Sequence, residues 1–150
     1  MINNILLAID LSQDSNKIFE YALDLKSKYN ATLTVLNVNE ELLSKDEMIM
    51  SRVKVDKVMK SNEEIALNAK DVFKQMLADF QIEDSSDIKM LLREGNASQE
   101  IVEYVDGSEC DMIILGSNSQ SKISELLLGS TSKAVIKNSK IPVLVIPLVN

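Results

Sequence analysis

Glycine and small hydroxyl residues follow an apolar run at 112–115 in a pattern that could hold a phosphate group. Gly116 ends the run, and Gly129 with Ser130 lies thirteen positions further along. A phosphate site needs converging backbone N–H groups, a main chain that a ligand can approach closely, and the positive end of a helix dipole. The spacing leaves a plainer alternative open, in which Gly116 ends a strand and Gly129-Ser130 simply begins a helix.

Asp10 is the second candidate, because it follows the first apolar run at 5–9. If the strand order reverses between the first and fourth strands, Asp10 and Gly116 border one crevice, and the amides flanking Gly116 and Gly129 converge there on one anion. A carboxylate at this place can accept hydrogen bonds from ribose hydroxyls. The local alternative is that Asp10 helps Ser12 or Asp14 to cap the first helix.

Several kinds of chemistry are excluded by composition. The chain has no histidine and one cysteine, Cys110, so an internal disulfide, a thiolate zinc cluster and the common catalytic triads lack their residues. The first turn, "AIDLSQDS", contains no glycine and therefore no dinucleotide fingerprint, and no P-loop motif is present. Cys110 is expected to pack as a small structural residue.

The charge distribution argues against two classes of partner. A formal net charge of -7 opposes binding to nucleic acid and to anionic lipid. No apolar run approaches the roughly 20 residues that a membrane span needs, and "MINNILLAID" lacks the pattern of a secretory signal. We therefore expect a cytoplasmic protein with no nucleic-acid partner and no membrane partner.

The elements that must position these residues are predicted by the apolar pattern. Five segments rich in Val, Ile and Leu read as strands, and the nearly continuous runs indicate burial on both faces of a parallel sheet: 3–10, 31–38, 87–93, 111–117 and 142–147. Helical patterns alternate with them, the third opened by Asn96 with Gln99 three residues on. The pattern predicts one α/β domain over 1–150, an open, doubly wound, five-stranded parallel sheet of order 3-2-1-4-5 with helices on both faces. Residues 39–55 are predicted to form a mobile loop with a turn of helix.

Four segments make the chain resemble the universal stress proteins, whose superfamily includes electron-transfer flavoproteins and other adenine-nucleotide binders. They are "ILLAIDLSQDS", "LTVLNV", "EGNASQEIVEYV" and "CDMIILGSNSQSKISELLLGSTSKAVIKNSKIPVLVIP", and the resemblance extends over nearly the whole chain. It implies a UspA-like domain and a role as a stress-response regulator. Any ATP hydrolysis is expected to be slow, since no carboxylate besides Asp10 is placed at the crevice.

Family members that bind ATP share the pattern G-x2-G-x9-G-[ST]. Gly116 and the Gly129-Ser130 pair fall on that spacing here, whereas Ser119 replaces the second glycine. By the resemblance, Asp10 meets the ribose, Val38 lines the adenine pocket, and the residues of the motif surround the phosphates. The implied ligand is ATP, or ADP or AMP, with or without Mg²⁺, bound by Ala8, Ile9, Asp10, Val38, Gly116, Ser117, Ser119, Gly129, Ser130 and Thr131.

Ser119 leaves a second function open. Its Cβ fits only if the local backbone avoids conformations reserved for glycine, so the phosphate site could be closed. The alternative is a nucleotide-free scaffold of the same fold. In either case the resemblance implies a homodimer through the last strand, 142–147, and regulation of an unidentified protein partner. Lys122 could reach a terminal phosphate or lie in solvent.

Overall fold

The computed structural model describes residues 1–12, 14–40, 52–117 and 128–148. The strands are β1 (Asn4–Ala8), β2 (Thr32–Asn39), β3 (Ile88–Glu94), β4 (Met112–Gly116) and β5 (Val143–Ile146). The helices are α1 (Ser15–Tyr29), α2 (Arg52–Asp79), α3 (Ala97–Asp106) and α4 (Ser130–Asn138). Each predicted strand is present, with ends that differ from the prediction by one or two residues.

All four strand pairings are parallel, and the order is β3-β2-β1-β4-β5, which confirms the predicted topology. The central strands are the most apolar because both of their faces are covered. Leu6 and Leu7 on β1 and Ile113 and Ile114 on β4 are fully buried. Adjacent residues of one strand therefore serve two separate cores.

The two cores lie on opposite faces of the sheet. One packs α1 and α2 against the sheet, with Phe19 meeting Phe80 edge to face at a ring-centroid distance of 5.2 Å. The other packs α3 and α4 against the sheet around Leu36, Ile101 and Val135. Neither helix layer covers the carboxyl ends of β1, β2 and β4. These strand ends lie together at the carboxyl-terminal end of the sheet, where open α/β folds bind ligands.

The predicted loop over 39–55 is wrong at both of its ends. Asn39 continues β2, where it pairs with Glu94, and α2 is already helical from Arg52. Residues 41–51 lie outside the described residues. The helical residues 52–55 carry Val and Lys without a clear apolar period, so their pattern does not indicate the start of a helix.

The start of α3 agrees with the predicted cap. Asn96 has an extended backbone, and its Oδ1 accepts a hydrogen bond from the Gln99 N–H at 3.1 Å. Among the helices of the described ranges, none has both the length and the apolar character that crossing a membrane would require.

Candidate functional site

A cavity of about 270 Å³ opens at the carboxyl ends of β1, β2 and β4. It exists because β1 ends before both of its neighbours and because α3 and α4 begin beside it. Ala8 pairs with Leu36 and Leu115, whereas β2 continues to Asn39 and β4 to Gly116. Its walls come from the ends of β1, β2 and β4, the starts of α3 and α4, helix α1 and the segment after β5: Ala8, Ile9, Asp10, Ile18, Leu36, Val38, Glu40, Ala97, Ile101, Leu115, Gly116, Ser117, Gly129, Ser130, Thr131, Ser132 and Leu148. The topology thus gathers residues from both ends of the sequence around one space.

Nine of the ten site residues predicted from the sequence line this cavity. They are Ala8, Ile9, Asp10, Val38, Gly116, Ser117, Gly129, Ser130 and Thr131. The tenth, Ser119, lies outside the described residues, as does Lys122. The structure therefore brings the predicted groups together, while their ligand stays a prediction.

Asp10 organises the turn that leads from β1 into α1. Its Oδ1 accepts a hydrogen bond from the Ser12 N–H at 2.9 Å and lies 3.5 Å from the Ser15 hydroxyl. Leu11, between them, has a φ of 60°, a left-handed conformation that the turn imposes. Asp10 thus holds the turn before α1, although the N-cap residue of that helix, Asp14, makes no side-chain bond to the first turn. The same carboxylate also lines the cavity, and a carboxylate can accept several hydrogen bonds.

Asn37 ends the pairing of β1 with β2. The last backbone bond between these strands runs from the Ile9 N–H to the Leu36 carbonyl at 3.0 Å. The next acceptor, the Ile9 carbonyl, is taken by the buried Asn37 side chain, whose Nδ2 donates to it at 3.0 Å. The side chain thereby fixes the peptide that precedes Asp10.

Val38 consequently presents its main chain to the cavity. Consecutive residues of a parallel strand direct their N–H and C=O groups to alternate neighbours. The carbonyl of Leu36 faces β1, and that of Asn39 faces β3, where it accepts from the Gly95 N–H at 3.1 Å. The N–H and C=O of Val38 are thus directed toward the space beyond the end of β1.

Replacing Asn37 with leucine is expected to destabilise the protein by about 1–3 kcal/mol, because the Ile9 carbonyl would stay buried without its donor. Urea unfolding measures the loss. The matched control is Asn138→Leu, which removes a similar side-chain bond to the Ala134 carbonyl at 2.8 Å, but at an exposed position. The control should change stability by less than about 0.5 kcal/mol. Equal losses in the two variants would contradict this account of Asn37.

The amino end of α4 forms the opposite end of the cavity. Gly129 is the N-cap, with φ -66° and ψ 166°, and its carbonyl accepts the first helical bond from the Lys133 N–H at 3.0 Å. The N–H groups of the first turn have no partner within the helix, and they carry its positive dipole end. Ser130 and Thr131 add hydroxyl groups to this end. Such a terminus is chemically suited to an anion.

Packing, rather than the predicted close approach of a phosphate, explains why residue 116 is a glycine. A Cβ placed there would lie 2.5 Å from Ile18 Cδ1 and 2.7 Å from Leu148 Cδ1, so apolar side chains already fill that space. The following amide, Ser117 N–H, donates to the Ile146 carbonyl at 2.9 Å. We predicted that amides from both glycine segments converge on one anion. This prediction is wrong for the Ser117 N–H, because that donor is bonded to β5 within the sheet.

Two buried serines join β4 to its surroundings. The Ser117 hydroxyl accepts from the Leu148 N–H at 2.8 Å, and the Ser132 hydroxyl donates to the Gly116 carbonyl at 3.0 Å. Both side chains are 5% exposed. The second bond ties the start of α4 to the end of β4, which holds the helix terminus at the cavity.

Sequence reasoning missed part of the cavity wall. Leu36, Ala97 and Ile101 bring apolar surface from β2 and α3, and Glu40 adds a carboxylate at the mouth. The signal for Glu40 was its position just after the strand predicted over 31–38, since ligands of open α/β sheets bind beyond the strand ends. The contribution of α3 had no comparable signal, because it depends on how the helix packs on the sheet.

Cys110 lies before β4, at the amino-terminal end of the sheet, whereas the cavity lies at the carboxyl-terminal end. Its thiol contacts the carbonyls of Asn4 and Met112, and burial raises the pKa of the thiol above its usual value. Because the thiolate is the reactive form, this environment suits packing and disfavours redox chemistry. Within the described part of the chain, no three His, Cys, Asp or Glu side chains come together as metal ligands would.

Known proteins resemble this chain over almost its full length. A family model described as "Universal stress protein family" matches residues 1–147. The stress response protein NhaX of Bacillus subtilis is 26% identical, covering 96% of this chain and 97% of that protein.

Solved structures share the fold. The structure of MJ0577, from Methanocaldococcus jannaschii, superposes with a TM-score of 0.79 at 25% identity and covers 100% of this chain and 99% of its own. A universal stress protein in complex with cAMP superposes with a TM-score of 0.67 at 20% identity, covering 98% of each chain. With its parallel sheet, its cavity at the strand ends and a family match over nearly all residues, this chain belongs to the universal stress protein family.

Proposed function

We propose that this chain binds an adenine nucleotide, ATP first and ADP or AMP as alternatives, in the cavity at the strand ends. It then acts as a cytoplasmic stress-response regulator, formed by one domain over 1–150, rather than as an efficient enzyme. The observation that carries the proposal is the polarity of the cavity. Helix-terminal N–H and hydroxyl groups lie at one end, and apolar side chains with a strand edge lie at the other.

The phosphates belong at the α4 end. Ser130, Thr131 and Ser132 offer backbone N–H groups there, and the hydroxyls of Ser130 and Thr131 offer further donors. The Ser132 hydroxyl is already bonded to the Gly116 carbonyl and serves to position the turn. Gly116 and Ser117 then act as the wall of the site, and α4 supplies its donors.

The base belongs at the β2 end. The outward N–H and C=O of Val38 match an adjacent acceptor and donor on the edge of an adenine ring, as a strand edge matches another strand. Leu36, Ile101 and Leu115 supply apolar surface for the ring faces. Asp10, between the two ends, is placed to accept hydrogen bonds from the ribose hydroxyls.

The cAMP complex of a family member with the same fold supports the ligand class. The share of sequence in common is 20%, so it supports an adenine nucleotide without deciding among them. Mg²⁺, where present, would be bound mainly by the phosphates and water, as in many nucleotide sites. An unidentified protein partner would respond to nucleotide occupancy.

Isothermal titration calorimetry tests the proposal. The freshly purified chain is titrated with ATP, ADP and AMP, with Mg²⁺ and with EDTA, and nucleotide released on denaturation is identified by mass spectrometry. We expect micromolar affinity or co-purified adenine nucleotide. If the chain neither binds an adenine nucleotide nor co-purifies with one, the result supports the nucleotide-free scaffold instead. That is the alternative function suggested by Ser119.

We also propose that the chain forms a homodimer through β5. This strand is an edge of the described sheet, and Val143 and Val145 direct their backbone groups away from β4, because Pro142 and Ile146 direct theirs toward it. Leu144 leaves apolar surface beside this edge. An uncovered apolar edge is an aggregation hazard, which pairing with a second copy removes.

A further inference from the structure

Glu40 lies at the base end of the cavity, directly after β2 ends at Asn39. The chain bends at Glu40 after the strand ends, and both Val38 and Glu40 line the cavity. The Glu40 side chain is exposed at the cavity mouth. It is thus accessible to a ligand whose base lies against Val38.

A hydrogen bond to α3 holds this carboxylate in place. Oε1 accepts from the Ala97 N–H at 2.9 Å, and Ala97 is the first residue of the helix. Acidic side chains interact favourably with the N-terminus of a helix. Across the ranges 1–12, 14–40, 52–117 and 128–148, the second oxygen makes no hydrogen bond. The oriented carboxylate therefore retains capacity to accept a bond from a ligand.

The position of Glu40 also fixes which part of a nucleotide it can meet. β2 and β4 lie on either side of β1, so the end of β2, which leads into Glu40, is about 10 Å, two strand spacings, from the end of β4, to which Ser132 ties the start of α4. A phosphate near Glu40 would meet a like charge, whereas a phosphate at α4 meets N–H donors. The carboxylate therefore faces the base.

We propose that Glu40 selects the base of the bound nucleotide, favouring a 6-aminopurine over a 6-oxopurine. This inference rests on the proposed function. An ionised carboxylate only accepts hydrogen bonds. Adenine carries a donor amino group where guanine and hypoxanthine carry an acceptor oxygen. A site built to bond an N–H group discriminates against the analogue that lacks it, because the acceptor is left unpaired.

The test compares ATP with ITP, whose hypoxanthine base replaces the amino group by a carbonyl oxygen. Their dissociation constants are measured by calorimetry for the wild-type chain and for Glu40→Gln. The glutamine retains an oxygen for the Ala97 N–H and adds an amide donor for the 6-oxo group. Glu103→Gln, at an exposed position on α3, is the matched control. Thermal melting of each variant verifies that it is folded.

We expect the wild-type chain and the Glu103→Gln control to bind ATP at least about tenfold more tightly than ITP. For Glu40→Gln the ratio of the two dissociation constants should fall by about tenfold, and any preference that remains comes from the main chain of Val38. An unchanged ratio in Glu40→Gln, or equal affinities in the wild type, would overturn the role of Glu40 and leave nucleotide binding intact. Failure of the wild type to bind either nucleotide would instead overturn the proposed function, and this inference with it.

Discussion

Replacing Thr131 with glutamate is expected to lower the affinity for ATP by about a hundredfold or more, while the free protein melts at the same or a higher temperature. Thr131 is the second residue of α4 and lines the cavity at its N-terminal end. A carboxylate there interacts favourably with the helix dipole, by about 0.3–1 kcal/mol. It also puts a like charge where we propose that the phosphates bind, which should cost several kcal/mol on binding.

The opposite signs of the two effects make this substitution informative. A substitution that damages the fold lowers both the melting temperature and the affinity, whereas this one should separate them. Calorimetry gives the ATP affinity, and differential scanning fluorimetry gives the melting temperature. Thr131→Gln is the control, because glutamine is nearly isosteric with glutamate but uncharged. It should weaken ATP binding far less than Thr131→Glu does.

Adenosine provides a second control for the same substitution. It carries the base and ribose without a phosphate, so its affinity should be roughly unchanged in Thr131→Glu. Equal ATP affinity in the wild type and Thr131→Glu would show that the phosphates lie elsewhere. The assignment of α4 as the phosphate end would then be wrong.

Replacing Leu144 with aspartate is expected to convert the proposed homodimer into a monomer. The Leu144 side chain is 36% exposed, on the edge strand β5. In a dimer through this edge its exposed surface would be buried, and burying an unpaired charge is strongly unfavourable. In the monomer the aspartate stays in water, so the fold should tolerate it.

The opposite edge of the sheet supplies the control. Leu92 on β3 is 40% exposed, and Leu92→Asp introduces the same charge at the other edge. Size-exclusion chromatography with light scattering should give about twice 16.7 kDa for the wild type and for Leu92→Asp. Leu144→Asp should elute with the mass of one chain. A dimeric Leu144→Asp, or a monomeric wild type, would contradict assembly through β5.

The order of elements was predictable because it depends on local pattern. The run Ile5 to Leu7 and the run Ile113 to Leu115 are apolar at every position, which is typical of strands covered on both faces. Alternation with helices then permits few topologies, since crossovers between parallel strands are right-handed. Asn96 was also readable, because a cap is a contact between residues three apart.

The beginning of α2 was not predictable in the same way. Residues 52–55 show no apolar period, and the end of a long helix is stabilised by the rest of its helix rather than by its own pattern. The predicted loop therefore extended too far. The end of β2 was predicted one residue too early for a related reason, because Asn39 is held in the strand by pairing with β3 rather than by strand propensity.

Gly116 shows the limit of a motif. Its spacing to Gly129 correctly predicted that both lie at one cavity, but the reason for the missing side chain lies in Ile18 and Leu148, which are far away in sequence. The availability of the Ser117 amide was likewise decided by its bond to Ile146 on β5. A motif records which residues are present, whereas hydrogen-bond partners depend on the neighbouring chain.

The sequence by itself determined the class of fold, the strand order and the two segments that meet at the cavity, because apolar periodicity and short-range caps are local properties. The tertiary structure decided which donors remain for a ligand, since Asn37, Ser117 and Ser132 use theirs in bonds to distant backbone, over at least 16 positions. It also decided that Glu40 joins the cavity mouth through α3. The physical reason is that buried polar groups must be paired, and their partners are fixed only when the chain has folded.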